Sequence, residues 1–159
     1  MKLLVMVDRH WAIGKDGDQL VYIPADLRRF QAMTTGKCVI LGRKTLQTFP
    51  KGAPLKNRRN LVLSRREGLH IPGAEVFASL AALRAAAPED AFVIGGAAVY
   101  EQLLPYCDTA YVTKLHAVYP ADRFFPNLDL DPAWACVEET QAEPYEAIAF
   151  SYCRYERIE

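Results

Sequence analysis

The chain has 159 residues, 51% of them hydrophobic, and its nineteen basic side chains are balanced by nineteen acidic ones. That length predicts one domain over residues 1–159 with a sizeable core, and the balanced charge excludes an extended nucleic-acid surface. The apolar runs are short, none near the roughly 18 residues that cross a membrane, so no membrane partner is expected.

The first predicted element is a strand, Lys2–Val7. The opening MKLLVMV carries one lysine and too short an apolar run for a secretion signal. Segment Asp8–Tyr22 follows neither a helical nor a strand period and holds Gly14, Gly17 and several charges. A loop of that length in a small domain is expected to be functional, often a lid. A helix is predicted over Pro24–Thr34, because proline in a first turn sacrifices no hydrogen bond. On a 3.6-residue period Ile23, Asp26, Leu27 and Phe30 share one face, opposite Arg28, Arg29 and Gln31. Asp26 in that apolar stripe is open to two readings. It is a carboxylate favoured near the helix start by about 0.3–1 kcal/mol, or a buried group that needs a partner's donor edge.

Further strands are predicted at Lys37–Leu41, Arg59–Ser64, Glu75–Phe77, Ala91–Ile94, Thr109–His116, Trp134–Glu139 and Ala147–Arg157. The helices are Arg43–Thr48, Leu80–Ala87 (capped by Ser79, stopped by Pro88) and Ala97–Leu104. Strands and helices alternate through residue 104, and strands then follow strands. This order predicts an α/β fold: a mainly parallel sheet covered on both faces, with an antiparallel C-terminal part.

Two segments, CVILGRKT (38–45) and AFVIGGAAVYEQLL (91–104), share one construction: a buried strand, glycine, then a helix start. Glycine admits close approach of a ligand, and free helix N–H groups suit anions. In a third, LVLSRRE (61–67), Ser64, Arg65 and Arg66 follow another strand. Parallel strands gather their C-terminal ends, so these segments can converge on one polyanion; the alternative, solvated loop charge, is favoured for Arg66. Thr113 reads equally as a core residue or as a donor to a buried acid. The cysteines (38, 107, 136, 153) and histidines (10, 70, 116) show no metal-ligand or disulfide spacing, so no metal is expected and the thiols are read as reduced and cytosolic.

The motifs VDRHWAIGKDGD, IPADLRRF, VILGRKT, PLKNRRNLVLSR, FVIGGAAVYEQLLP, TAYVTKLHA, ADRFFP and FSYCRYER occur in this order over essentially the whole chain. In them the chain closely resembles the dihydrofolate reductases. The resemblance implies a single α/β domain with a mixed, mainly parallel eight-stranded sheet flanked by about four helices. It also implies NADPH as hydride donor and 7,8-dihydrofolate as substrate, with hydride to C6 and a proton to N5. Antifolate inhibitors would be further ligands, and the enzyme would be a cytoplasmic monomer.

Carried over by position, the resemblance makes Asp26, Thr113 and Tyr100 the catalytic group. Leu4, Val5, Met6, Val21, Leu27, Phe30, Phe49, Leu55 and Ile94 become the pocket walls, and Arg58 the partner of the substrate's α-carboxylate, which a guanidinium fork suits. The dinucleotide site would comprise Met6, Ile13, Gly14, Asp18, Gly42, Arg43, Lys44, Thr45, Leu63, Ser64, Arg65, Ile94, Gly95, Gly96, Ala97, Val99, Tyr100 and Gln102. Within it Arg43, Lys44 and Arg65 would read a 2′-phosphate. Gly14–Asp18 would belong to a mobile loop over the nicotinamide, hydrogen-bonded to Asp122. Two departures stand out: Leu20-Val21 where the family usually has Pro-Trp, and the Lys51-Gly52-Ala53 extension before Pro54. Competing expectations are a pyrimidine reductase of riboflavin synthesis and a catalytically silent nucleotide- or pterin-binding module.

Overall fold

Runs of Val, Ile and Leu with two-residue alternation give strands whose two faces both need covering. The computed structural model, which describes residues 1–66 and 68–158, arranges them as one eight-stranded sheet and a two-stranded ribbon. The strands are β1 (Lys2–Val7), β2 (Ala12–Gly14), β3 (Cys38–Gly42), β4 (Arg59–Leu63), β5 (Ala74–Phe77), β6 (Phe92–Gly95), β7 (Thr109–Leu115), β8 (Arg123–Phe124), β9 (Trp134–Gln141) and β10 (Phe150–Arg157). The helices are α1 (Pro24–Thr34), α2 (Arg43–Gln47), α3 (Leu80–Ala86) and α4 (Ala97–Leu103). Sheet order is β5-β4-β3-β6-β1-β7-β10-β9, parallel from β5 to β7 and antiparallel beyond.

Alternation along β3 shows how the faces are covered. Cys38 and Ile40 join a large core with Leu3, Val5, Val7, Leu83 of α3 and Val99, Tyr100 and Leu103 of α4. Val39 and Leu41 face the other way, against Leu46 of α2 and Val62. Further along that second face Ile23, Leu115 and Phe150 form a smaller cluster beside α1. Ser79 caps α3 by accepting from the Ala82 N–H at 3.1 Å, as its sequence position requires.

Two regions differ from the sequence-based expectation. The strand expected from Ala147 begins at Phe150, because Tyr145 and Ile148 close a tight turn with Glu146 in the left-handed region (φ 55°). Segment Asp8–Tyr22 is more regular than a loop. It holds β2, paired with β8, and a Lys15–Asp18 hairpin whose central Asp16 and Gly17 both have positive φ (51° and 81°). An Asp-Gly pair favours that turn, and it was the available signal.

Asp8, at the end of β1, is buried and accepts three backbone N–H bonds: His10 at 2.8 Å, Ala12 at 3.0 Å and Tyr119 at 2.9 Å. One side chain thus ties the strand end to β2 and to the segment that leads into β8. Removing it leaves three donors without their acceptor, each costing on the order of 1 kcal/mol or more. Asp8→Ala is expected to lower unfolding free energy by about 3 kcal/mol in urea titrations, and Asp8→Asn, which keeps one oxygen, by about half that.

Candidate active site

Helix α1 starts at Pro24 after an extended Ile23, whose carbonyl accepts from the Leu27 N–H at 3.1 Å. No side chain caps this end, and Asp26 is the acidic group of the first turn. It also has a partner from the sheet. Thr113 Oγ1 donates to Asp26 Oδ1 at 2.6 Å, and the β1–β7 register sets Thr113 opposite Met6. Both readings of Asp26 therefore hold at once, and Thr113 is a donor rather than a core spacer. No other hydrogen bond reaches the Asp26 carboxylate among the described residues, which leaves Oδ2 for a ligand.

Asp26 is half-buried, and burial pushes its pKa above the ordinary carboxylate value. The Thr113 hydrogen bond and the nearby Arg29 charge act in the opposite direction and only partly offset this. Arg29 is itself held over the Tyr152 ring, 4.1 Å from its centroid.

Tyr100, expected among the catalytic groups, is committed elsewhere. Its hydroxyl donates to the Leu4 carbonyl at 2.5 Å, and its ring packs edge-on against Phe125, with centroids 5.1 Å apart. Burial, and then the Asp26 charge, push its pKa far up, so it is a neutral clamp between α4 and β1. It positions the strand that carries the pocket wall.

The wall residues fall into two groups. Phe49, Leu55 and Ile94 pack on the cluster around Leu41 and Leu46, whereas Met6 and Val21 pack on that around Ile23 and Leu115. Leu4 is buried on β1 and Phe30 is half-buried on α1. Leu27, placed by its period on the inward face, is 55% exposed at the rim. Val5 is a correction. Alternation sends its side chain into the opposite core with Leu3 and Val7, so only its backbone can line the pocket.

Arg58 reaches Thr35 Oγ1 through Nη2 at 3.2 Å and lies 5.9 Å from the Phe30 ring centroid. Its Nε is buried without a hydrogen-bond partner among the described residues, and burial lowers its pKa. A fork with an unspent buried donor suits a carboxylate. Just upstream, the added Lys51-Gly52 turn, with both residues at positive φ (59° and 60°), is closed by Gly52 N donating to the Phe49 carbonyl at 2.8 Å.

The expected dinucleotide residues come together because β4, β3 and β6 are neighbours in register: Gly42 opposite Leu63, and Leu41 opposite Gly95. A Cβ on Gly96 would lie 3.0 Å from Thr45 Oγ1, and one on Gly42 3.1 Å from Val99 Cγ2, so bare backbone is required there. The Gly95–Gly96 peptide bond is cis. Thr45 thus backs the glycine pair, and Val99 is a buried spacer behind Gly42 rather than an exposed contact. Leu63 and Ile13 are half-buried against the main core, and Ala97 is half-buried at the head of α4. Ser64 is buried, its Oγ accepting from the Arg66 N–H at 3.2 Å. Gln102 is exposed on α4 and donates to the Ala98 carbonyl at 3.2 Å. Arg43, Lys44 and Arg65 make no ion pair among the described residues. A glycine cradle flanked by three such cations fits a phosphorylated dinucleotide.

The nearby ribbon is tied down by Asp122, whose Oδ2 accepts from the Asp16 N–H at 3.1 Å and whose own N–H donates to the Gly14 carbonyl at 3.0 Å. A Cβ on Gly14 would lie 2.9 Å from the Asp18 carbonyl oxygen. The Asp18 carboxylate accepts from the Gln19 N–H at 2.8 Å and from the Tyr22 hydroxyl. Asp8 and the Tyr22–Asp18 contact were not singled out from sequence; the Asp-Gly turn was the signal for the second.

A mainly parallel sheet with glycine-lined strand ends beside one carboxylate in an apolar wall defines an α/β protein with the features of a dinucleotide-dependent enzyme. The family model described as dihydrofolate reductase matches residues 1–157, and the chain belongs to that family. It is 36% identical to the dihydrofolate reductase of Bacillus subtilis (strain 168), covering 96% of this chain and 90% of that one. It is 33% identical to that of Staphylococcus haemolyticus, covering 99% and 96%. A solved dihydrofolate reductase from Enterococcus faecalis, complexed with NADP(H) and RAB-propyl, superposes with a TM-score of 0.84 at 30% identity, covering 99% of this chain and 96% of that one. The reaction of the family is the NADPH-dependent reduction of dihydrofolate to tetrahydrofolate.

The raised pKa of Asp26 carries a stability consequence. A carboxyl whose folded pKa is raised contributes stability that is fully present below its unfolded pKa and lost as pH rises through the folded value. Asp26→Asn is therefore expected to be more stable than wild type at pH 7, with the advantage vanishing near pH 3 (~1 unit below the usual carboxylate pKa). Chemical denaturation across that range checks it. Thr113→Val removes the hydrogen bond that favours the ionised form, so the Asp26-dependent limb of the pH–rate profile is expected to move to higher pH.

Proposed function

We propose that Asp26 is the acid around which dihydrofolate is bound and protonated, and that the chain acts as a single domain over residues 1–159. The observation that carries this is the Thr113–Asp26 hydrogen bond, which spends one carboxylate oxygen and leaves the other for the ligand. That oxygen accepts from the pterin N3 and 2-amino group, and Thr113 holds the carboxylate in the required orientation. A carboxylate with a raised pKa polarises the ring toward protonation at N5 and is re-protonated more readily at neutral pH. Leu4, Met6, Phe30, Phe49, Leu55 and Ile94 exclude water from the reacting edge, and Arg58 anchors the glutamate α-carboxylate. Bound NADPH supplies the hydride. Gly42, Gly95 and Gly96 admit its pyrophosphate to the backbone, Arg43, Lys44 and Arg65 hold the 2′-phosphate, and the ribbon around Gly14–Asp18 covers the nicotinamide end. Antifolates that mimic the pterin edge occupy the same wall. The enzyme works as a cytoplasmic monomer.

The direct test is loss of NADPH absorbance when dihydrofolate is added to the purified chain. Tight folate binding without NADPH consumption would instead leave a binding module. Asp26→Asn is expected to lower the hydride-transfer rate at neutral pH by at least about 100-fold, the usual scale of a lost acid–base group; near wild-type turnover would remove Asp26 from this role. Replacing Arg43 and Arg65 with Ala is expected to raise KM for NADPH by about 10-fold or more and to leave KM for NADH nearly unchanged, as steady-state kinetics with each cofactor will show.

A further inference from the structure

On the face of β10 turned away from Asp26, Cys136, Glu139 and Cys153 offer a thiol, a carboxylate oxygen and a thiol that lie within 4.8 Å of one another. Their sequence positions conceal this. Residues three apart on a regular strand point to opposite faces, so Cys136 and Glu139 should diverge. A register shift prevents it. Cys153 pairs with Glu139 and Arg154 with Glu138, but Tyr155 pairs with Cys136, so Val137 is the extra residue of a β-bulge. The bulge returns Cys136 to the face that already carries Glu139 and Cys153. Its thiol turns back along the strand, donating to the Glu138 carbonyl at 3.5 Å.

We propose that Cys136, Cys153 and Glu139 form a binding site for one thiophilic divalent cation of the zinc class. Two sulfurs and one carboxylate oxygen are a ligand set for such an ion, with Zn–S near ~2.3 Å and Zn–O near ~2.0–2.2 Å, and water completes the tetrahedron. Ligand atoms on a tetrahedron of that size stand roughly 3.5–4 Å apart, so modest side-chain rotation closes the site. Support from behind the ligands is present. Ser151 Oγ donates to Glu139 Oε2 at 3.4 Å and lies 3.1 Å from His116 Nε2, the kind of outer hydrogen bonding that orients a ligating carboxylate.

Access is also provided. Cys136 and Glu139 are exposed above the buried Cys153, and a hollow of about 270 Å³ lined by Arg9, His116, Ser151, Glu139, Lys114 and Asp129 opens beside Glu139. Of the two cations that line this hollow, Arg9 and Lys114, the second is engaged by Asp129 at 2.8 Å and by the Tyr155 hydroxyl at 3.0 Å. The ion would pin β9, at the edge of the sheet, to β10.

The test is titration of the full chain, kept reduced with a phosphine, with Co2+ alone and then with Zn2+. The expected result is one Co2+ per chain, with tetrahedral visible bands and a sulfur-to-metal charge-transfer band, displaced by Zn2+. Cys136→Ser, at an exposed position, is expected to fold, to keep wild-type hydride-transfer activity without metal, and to weaken Co2+ binding by more than about 100-fold with loss of most charge-transfer intensity. Glu139→Gln should weaken binding by about 10-fold or more and retain the sulfur band. Absence of the sulfur band in wild type, the same band and affinity in Cys136→Ser, or unchanged affinity in Glu139→Gln each overturns the assignment.

Discussion

The hydrogen bond from Thr113 to Asp26 joins the middle of the sheet to the first helix, and the chemistry of the site depends on it. A carboxylate in a half-buried apolar wall is unfavourable unless its oxygens are satisfied. Thr113 satisfies one at 2.6 Å, and the Arg29 charge helps, yet burial still outweighs both and the pKa remains raised. The residue is thus held in one orientation with its proton affinity increased, as the role proposed for it requires. The same tension makes the folded state pay in stability for the function, since an amide of identical shape would sit there more comfortably.

Strand order then decides what meets that carboxylate. Because β1 lies between β6 and β7, it sets Leu4 and Met6 opposite Tyr111 and Thr113 on one side and runs beside the strand that ends at Gly95 on the other. Parallel neighbours β4 and β3 bring Ser64 and Gly42 to the same edge, so the proposed substrate wall and the proposed dinucleotide cradle share one set of strand ends. Tyr100 locks these halves together: it leaves α4, crosses to the Leu4 carbonyl, and stacks edge-on against Phe125 from the segment beyond β8. A displacement of β1 against α4 would break that bond, at a cost on the order of 1 kcal/mol.

Much of this was legible in the sequence. Helix α1 has the predicted bounds because proline at its first position and the apolar stripe are both local signals, and β1 matches because Leu3 to Val7 form a short continuous apolar run, too short for a buried helix and of ordinary strand length. What was not legible depended on partners distant in the chain. Strands β2 and β8, three and two residues long, are too short to show a period and exist only because they pair with each other. Val5 carries the right side chain for a wall, but its position between Leu4 and Met6 turns it into the opposite core. Tyr100 has a hydroxyl suited to catalysis, and only the Leu4 carbonyl shows that it is already engaged. The Cys136–Glu139 pairing is hidden more thoroughly still, since a one-residue bulge reverses the parity that sequence reasoning must assume.

Val21 is the residue at which this chain departs most from the family pattern in the proposed pocket. It packs with Ile23, Leu115 and Phe150, so it serves the cluster beneath α1 as much as the ligand wall. Where the family usually places an indole, valine has less volume and no N–H, and cannot hold a water by donating to it. The neighbouring Tyr22 and Leu27 do not fill that space in this structure, being 61% and 55% exposed. Closure at this corner therefore falls to backbone and ribbon contacts. The Tyr22 hydroxyl meets the Asp18 carboxylate, the Lys15–Asp18 hairpin is self-bonded at 3.0 Å in both directions, and Asp122 fixes it through the Asp16 N–H. The hydrogen bonds at this corner depend on the turn geometry at Asp16-Gly17 and on the acceptor at Asp122.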